Sequence, residues 1–212
     1  MKTLPLTLVA ALALGGCATP PPSDAELDRM AAHMMQTSFR DQGIAKLDRL
    51  EQDFTQAACS SDKAPDAATA ARIQTEARAT IKWPAGGQYL GDWREGEKIA
   101  QNGRGMTWTD ASTAPSANGG NCYNCHQISK QEISYGTIGP SLYQYGKRRG
   151  VTSMSAPAVQ EAFEYTWAKI YNAHAFNACS SMPRFGAKHL LDETQIRHLM
   201  ALLLDPKSPV NQ

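Results

Sequence analysis

The segment GNCYNCH, residues 120–126, places Cys122 and Cys125 three positions apart and His126 directly after the second cysteine. This pattern is found in three kinds of site: half of a zinc site, a thioredoxin-like redox pair, and the attachment site of a c-type haem. The compartment of the protein and the rest of the chain decide among them.

The N-terminus has the pattern of a secretory signal. Lys2 precedes an apolar stretch, residues 4–16, that is too short to span a bilayer. The sequence LGGC, residues 14–17, resembles the lipobox of bacterial lipoproteins, in which cleavage leaves Cys17 as a lipidated N-terminus. Ordinary cleavage after Ala18 is the alternative. Both interpretations predict an exported, periplasmic protein, and the first adds a membrane tether.

The composition is that of a folded protein with balanced charge. The 212 residues carry 21 basic and 20 acidic side chains, for a net charge of +1, and 42% of them are hydrophobic. Such a balance gives no electrostatic reason to expect nucleic acid as a partner. The length allows one domain with additional segments, or two small domains.

Helical periodicity accounts for the N-terminal part of the chain. Ser23 and Glu26 form the pattern of a capping box at the start of a first helix. Apolar side chains at helical spacing predict a second helix over residues 44–58 and a third over residues 66–81. Three short helices rarely form a stable core alone, so we expect residues 24–85 to dock on a partner.

The C-terminal part also has only helical patterns. They predict helices over residues 93–100, 157–172 and 192–204, and Pro206 ends the last one. No strand pattern of any length is present, which predicts an all-α fold. The expected organisation is a signal peptide (1–16), a proline-rich tether (17–23), a helical extension (24–85) and a domain that carries the motif (86–212).

A c-type haem fits the motif best. A structural zinc site needs four ligands, and no second pair at matching spacing accompanies Cys122 and Cys125. Thioredoxin motifs lie in a βαβ context, which this sequence lacks. In an exported protein the spacing instead matches two thiols that add to two vinyl groups on one edge of a porphyrin, with His126 as iron ligand. We therefore predict one covalently attached haem c.

The second axial ligand of the iron is predicted to be Met182. Pro183 disfavours a helical conformation at Met182, and so favours an extended loop from which a thioether can reach the metal. His174 and Met154 are the next alternatives. A His126–Met182 pair leaves no open position on the iron, which indicates electron transfer rather than substrate binding. The weaker candidates are Met106, Met200, His189 and His198.

The order of these motifs resembles that of class I cytochromes c: a helix, the Cys-Cys-His motif, a Gly-Pro-x-Leu segment, a Met-Pro pair and a terminal helix. More narrowly, residues 89–210 are similar to the SoxX family, the monohaem subunits of the SoxAX cytochromes of sulfur oxidation. The similar segments are GNCYNCHQI (120–128), GTIGPSLYQYGKRRG (136–150), NACSSMPRFG (177–186) and LLLDPKSPVN (202–211).

This resemblance implies a function. The chain would be the non-catalytic electron-transfer subunit of an L-cysteine S-thiosulfotransferase, accepting electrons when thiosulfate is joined to a cysteine of a SoxYZ-like carrier. The implied partners are a SoxA-like haem subunit, in a heterodimer, and a downstream acceptor cytochrome. The resemblance also implies that the carbonyl of Pro140 receives the Nδ1–H of His126. A free-standing shuttle cytochrome of a respiratory chain is the alternative, and a haem peroxidase is a third.

Two cysteines remain for a disulfide. Cys17 is assigned to the lipobox, and Cys122 and Cys125 to the haem, so Cys59 and Cys179 are left in an oxidising compartment. We predict that these two form a disulfide, which would fasten the extension to the loop of the axial methionine. Two free thiols are the alternative.

Overall fold

The structure is a computed structural model that describes residues 21–212. The predicted signal peptide and Cys17 lie outside the described residues. Within residues 21–212 the regular elements are α-helices and short 3-10 turns, and no strand is present apart from an isolated bridge between Gln42 and Ala45. The all-α prediction is confirmed for this part of the chain.

The described residues divide into two units, residues 21–39 and residues 40–212. The first contains helix α1 (Asp24–Ser38), which starts as the sequence predicts. The Glu26 carboxylate accepts hydrogen bonds from the backbone N–H and the hydroxyl of Ser23, both at 2.9 Å. Every side chain of α1 is exposed. The large apolar ones are Leu27, Met30, Met34 and Met35.

The second unit contains the other six helices. They are α2 (Phe54–Cys59), α3 (Ala67–Ala79), α4 (Trp93–Gln101), α5 (Tyr145–Arg148), α6 (Val159–Tyr171) and α7 (Glu193–Leu204). Short 3-10 turns lie at Leu47–Leu50, Ala85–Gly87, Pro115–Ala117, Cys122–Asn124, Ala173–Ala175 and Pro209–Asn211. No helix within residues 21–212 is both long enough and apolar enough to cross a membrane.

Helix α7 is the centre of the second unit. It packs along α4 and also contacts α5 and α6. Gly96 of α4 permits the close approach, because a Cβ atom there would lie 2.1 Å from the backbone oxygen of His198. Trp167 of α6 and Met200 of α7 are almost fully buried in the shared core. This helical frame holds the loops that carry the motif residues.

Helix α3 is part of the same unit. Its Ile73 and Ala77 are buried, and the helix contacts the turn Ala173–Ala175. Just after α3, the carbonyl of Lys82 accepts a hydrogen bond from Nε1 of Trp167 at 2.8 Å. The apolar stripe that we expected to meet a partner is therefore covered by residues of this chain.

The second predicted helix is not continuous. Residues 44–58 form a 3-10 turn (Leu47–Leu50) and the separate helix α2. The cause is a capping box at Asp53: its carboxylate accepts the N–H of Gln56 at 2.9 Å, and its own N–H donates to the Gln56 side chain at 2.9 Å. The prediction of one helix is wrong because this capping starts a new one. Helix α5 lies outside the segments for which the sequence predicts helices.

Candidate functional site

The Cys-Cys-His motif folds into a single tight turn. Cys122–Asn124 is a 3-10 turn, and the carbonyl of Cys122 accepts hydrogen bonds from the N–H of Cys125 at 3.1 Å and of His126 at 2.9 Å. Asn121, just before the turn, has a left-handed backbone with φ of 49°. These contacts bring both sulfur atoms and the imidazole to one short piece of backbone.

The two motif cysteines carry free thiols. Cys122 is partly buried against the hydrophobic core, next to the buried Tyr123. Burial raises the pKa of the Cys122 thiol to about 12. Cys122 is thus held as a neutral thiol at the edge of the core, and Cys125 is also free and partly buried.

The imidazole of His126 is oriented by a backbone carbonyl. Its Nδ1 lies 2.7 Å from the oxygen of Pro140, the contact that the resemblance implies. A carbonyl only accepts hydrogen bonds, so Nδ1 carries the proton and Nε2 keeps its lone pair. A histidine in this tautomer is ready to bind a metal through Nε2.

Gly139 makes room for the ring of His126. A Cβ atom at Gly139 would lie 2.1 Å from Cε1 of the imidazole, so any side chain there would overlap it. The N–H of Gly139 donates to the carbonyl of Cys125 at 2.8 Å. The absence of a side chain at Gly139 therefore sets the position of Pro140 against the histidine.

Two further hydrogen bonds fasten the segment around Pro140 to the motif. The N–H of Gly136 donates to the carbonyl of Tyr123 at 2.8 Å, and the N–H of Leu142 donates to the carbonyl of Gln127 at 2.7 Å. The motif and residues 136–142 therefore form one hydrogen-bonded unit, which keeps the ring of His126 in place.

Met182 lies in a loop, residues 177–184, called here the Met182 loop. The methionine is partly buried and packs against the same hydrophobic core that Cys122 contacts. Its N–H donates to the hydroxyl of Ser180 at 3.3 Å. The loop borders a cavity of about 340 Å³, which is also lined by Thr55 and His174. The non-helical conformation predicted from Pro183 is present.

The other residues that the sequence offers as second axial ligand have different environments. Met200 is fully buried in the core, and Nδ1 of His198 accepts the N–H of Asp92 at 2.8 Å. Nε2 of His174 donates to the carbonyl of Ser180 at 3.0 Å. Burial lowers the pKa of His174, which favours its neutral form. Exposed or loop positions are occupied by Met106, Met154 and His189.

Cys59 and Cys179 form a disulfide in the structure, with Cα atoms 5.5 Å apart. A second link between the same two parts of the chain is ionic. The carboxylate of Asp53 lies 2.8 Å from Nη1 of Arg184 and 3.1 Å from Nζ of Lys188. Helix α2 is thus joined to the Met182 loop on both sides of the methionine.

The ion pair changes the pKa of Asp53. Burial alone would raise the pKa of Asp53, but the N–H of Gln56 and the cations Lys188 and Arg184 outweigh it and lower this pKa to about 2. The carboxylate therefore stays ionised down to strongly acidic pH.

No cluster of protein ligands marks a metal site of the zinc type. Within residues 21–212, no group of three or more His, Cys, Asp or Glu side chains is placed to hold a metal ion. Cys122, Cys125 and His126 are neighbours along one turn, but they do not converge on a common point.

Of the two links between α2 and the Met182 loop, one can be predicted from the sequence and the other cannot. The disulfide could be predicted by counting cysteines. The ion pair between Asp53 and Arg184 joins residues 131 positions apart, and neither has a local pattern that points to the other. The capping motif at Asp53 was the one available signal.

Comparison with known proteins gives a relative but no described activity. The chain is 37% identical over 163 residues to a protein named "Uncharacterized lipoprotein" from Aquifex aeolicus (strain VF5), covering 76% of this chain and 73% of that protein. No profile of a known protein family matches. The chain belongs to the same family as this lipoprotein.

Proposed function

We propose that this protein is a c-type cytochrome that transfers electrons, with one haem bound covalently at Cys122 and Cys125. The observation that carries the proposal is the contact between Nδ1 of His126 and the carbonyl of Pro140, at 2.7 Å. It leaves Nε2 free for iron, directly beside two free thiols. A redox pair of cysteines has no need of an oriented histidine at this position, and within residues 21–212 no group of three or more His, Cys, Asp or Glu side chains is placed to hold a zinc ion.

The residues of the site fit such a group. Cys122 and Cys125 would hold it through thioether bonds, and His126 and Met182 would be its axial ligands. Bound in this way, a haem supplies a centre that gains and loses one electron. Gly139 and Pro140 keep the imidazole oriented, and the hydrophobic core next to Cys122 limits the access of water.

Electron counting supports a role within a larger assembly. The bond formed when thiosulfate is joined to a thiol releases two electrons, whereas one haem accepts one. Cys59 and Cys179 are already paired, so neither offers a thiolate for a sulfur compound. We therefore propose that the chemistry lies on a SoxA-like haem subunit and that this chain accepts electrons from it. The carrier would be SoxYZ-like, and a downstream cytochrome would accept the electrons from this chain.

A lipid tether is the proposed form of attachment. The relative from Aquifex aeolicus is named a lipoprotein, and this chain has LGGC at residues 14–17. We propose that Cys17 is lipidated and holds the protein at the membrane, on its periplasmic side. Replacing Cys17 by Ala should move the protein from the membrane fraction to the soluble fraction. Retention in the membrane fraction would contradict the tether.

A second candidate function has its own support. One argument for a partner is that residues 24–85 are too few to form a core of their own, but α3 buries Ile73 and Ala77 within this chain. Because the apolar side chains of α3 are buried within this chain, the protein is also compatible with a free-standing, tethered cytochrome that shuttles electrons in a respiratory chain. The exposed apolar side chains of α1 favour the subunit of a complex instead.

Purification of the full-length protein from native membranes separates the two functions. A second haem protein that co-purifies in a fixed ratio would support the SoxAX-type complex. If this chain elutes alone and is still reduced by a respiratory donor, the shuttle function is favoured. Absence of covalent haem from the isolated protein would contradict both.

A further inference from the structure

We propose that Asp53 positions Met182, by holding the far side of the Met182 loop in place so that the thioether stays on the iron. This inference rests on the proposed function, because it assigns Asp53 a role toward an axial ligand. Asp53 does not touch the metal site itself. It acts through Arg184, two residues after the methionine.

The contact between Asp53 and Arg184 is sheltered. Nη1 of Arg184 lies 2.8 Å from Oδ2 of Asp53, and the two side chains are only 16% and 33% exposed. Lys188 adds a second cation 3.1 Å from the same oxygen. Exposed ion pairs contribute little to stability, but a partly buried, charge-assisted hydrogen bond is stronger. The pair can therefore hold the backbone after Met182.

The disulfide holds the other end of the loop. Cys59 ends helix α2, and Asp53 is the residue that caps its start. The two ends of α2 are thus linked to the Met182 loop, to Cys179 by a covalent bond and to Arg184 by an ion pair. Met182 lies between these two points, so movement of the loop away from the core requires one of the links to yield.

A third contact supports the loop from the inside. Nε2 of His174 donates to the carbonyl of Ser180, and the hydroxyl of Ser180 accepts the N–H of Met182. His174 belongs to the turn against which α3 packs. The first half of the loop is therefore fixed by the disulfide and Ser180. In the second half, the side chain of Arg184 is held by Asp53, and the carbonyl of Arg184 accepts the N–H of Lys188 at 2.9 Å. Loss of the Asp53 side chain should therefore increase the mobility of the second half of the Met182 loop more than that of the first half.

The variant Asp53→Asn tests the role of the charge. Asparagine is as good an N-cap as aspartate, so α2 should keep its start while the ion pair is lost. Asp66→Asn is the matched control. Asp66 caps α3 in the same way, through the N–H of Thr69 at 2.7 Å, and makes no contact with the Met182 loop.

The first readout is the binding of imidazole to the oxidised protein, which requires Met182 to leave the iron. We expect Asp53→Asn to bind imidazole about tenfold more tightly than the wild type, from the strength of a charge-assisted hydrogen bond. Asp66→Asn should bind it as the wild type does. Equal affinity in all three proteins would overturn the inference.

The second readout is hydrogen exchange in the peptide that contains residues 180–184, which needs no haem. Faster exchange in this peptide in Asp53→Asn, and not in Asp66→Asn, would support the inference that Asp53 holds the Met182 loop in place. Unchanged exchange contradicts it. A wild-type protein without covalent haem would overturn the proposed function and the role toward iron. Hydrogen exchange would still decide whether Asp53 holds the loop, so the two failures can be told apart.

Discussion

Cys59 and Cys179 are separated by 120 positions in the sequence, and their Cα atoms lie 5.5 Å apart. The disulfide joins the end of α2 to a loop in the C-terminal third of the chain. Because α3 is buried in the same unit, residues 53–79 are part of the folded domain. The N-terminal segment therefore contributes to the surroundings of Met182.

Covalent haem attachment is tested by removing both motif thiols. The variant Cys122→Ser/Cys125→Ser should lose the haem-stained band on denaturing electrophoresis, because serine cannot form the thioether bonds. The control is Cys59→Ser/Cys179→Ser, which has the same two changes at the cysteines of the disulfide, leaves no unpaired partner, and should keep the band. A stained band that persists in the double variant would contradict the assignment.

Replacing Met182 by Ala should abolish the weak charge-transfer band of iron–methionine bonding at the red end of the oxidised spectrum. The thioether of Met182 is the proposed source of this band. Met154→Ala removes a methionine whose side chain is 47% exposed, and the band should survive in that variant. The reverse pattern would assign the ligand to Met154.

Loss of the disulfide should lower the free energy of unfolding. It closes a loop of 120 positions, for which the chain-entropy relation gives about 4 to 5 kcal/mol, and strain in the folded protein would reduce this value. Cys59→Ser and Cys179→Ser should be destabilised equally in urea unfolding, and the double variant should be no worse. Alkylation of both thiols in the unreduced wild type would show instead that no disulfide forms.

Acid should weaken the link at Asp53. Its pKa is lowered from 3.8 to about 2, so between these values the unfolded chain binds a proton that the folded protein does not. Stability from Asp53 is then present above pH 3.8 and is lost as the pH falls toward 2. With allowance for solvent screening, the loss amounts to about 1 kcal/mol.

The measurement is urea unfolding of the wild type and Asp53→Asn over this pH range. The difference in free energy between the two proteins should shrink as the pH falls. A difference that does not depend on pH would mean that the carboxylate is not the group responsible.

Truncation separates the two parts of the extension. Deleting residues 21–39 removes α1, whose side chains are all exposed, so thermal unfolding of the rest should change little while binding to the partner weakens. Deleting residues 21–82 also removes α3 with the buried Ile73, and should destabilise the domain. Undiminished heterodimer formation by the shorter deletion would show that α1 is not the docking helix.

Much of the fold could be predicted from local patterns. The capping box at Ser23 and the stripes of α3, α6 and α7 marked those helices within a few residues, because periodicity and capping act over one or two turns. The interval between Leu50 and Phe54 was missed, since the apolar spacing continues through it. Only the capping box at Asp53 shows that the helix restarts there.

The site was less accessible to prediction from the sequence than the fold. Spacing alone predicted Cys122, Cys125 and His126 as the proposed haem site, because the attachment chemistry needs neighbours in sequence. Position 139 needs a glycine because the imidazole of His126 lies against it in the folded protein, and this contact has no local sequence pattern. The pairing of Asp53 with Arg184 depends on how α2 packs, which no short stretch of sequence specifies.

If the protein is exported as proposed, the order of the cysteines along the chain constrains its maturation. With the N-terminus leading, Cys59 would enter the oxidising compartment before Cys122 and Cys125, and these two would arrive well before Cys179, the partner of Cys59 in the folded protein. Among the single bonds open to these four thiols, only the one between Cys59 and Cys179 leaves both motif thiols available. In the proposed cytochrome, haem attachment would therefore compete with premature oxidation of the motif thiols, and early disulfides would have to be prevented or reshuffled before Cys59 pairs with Cys179.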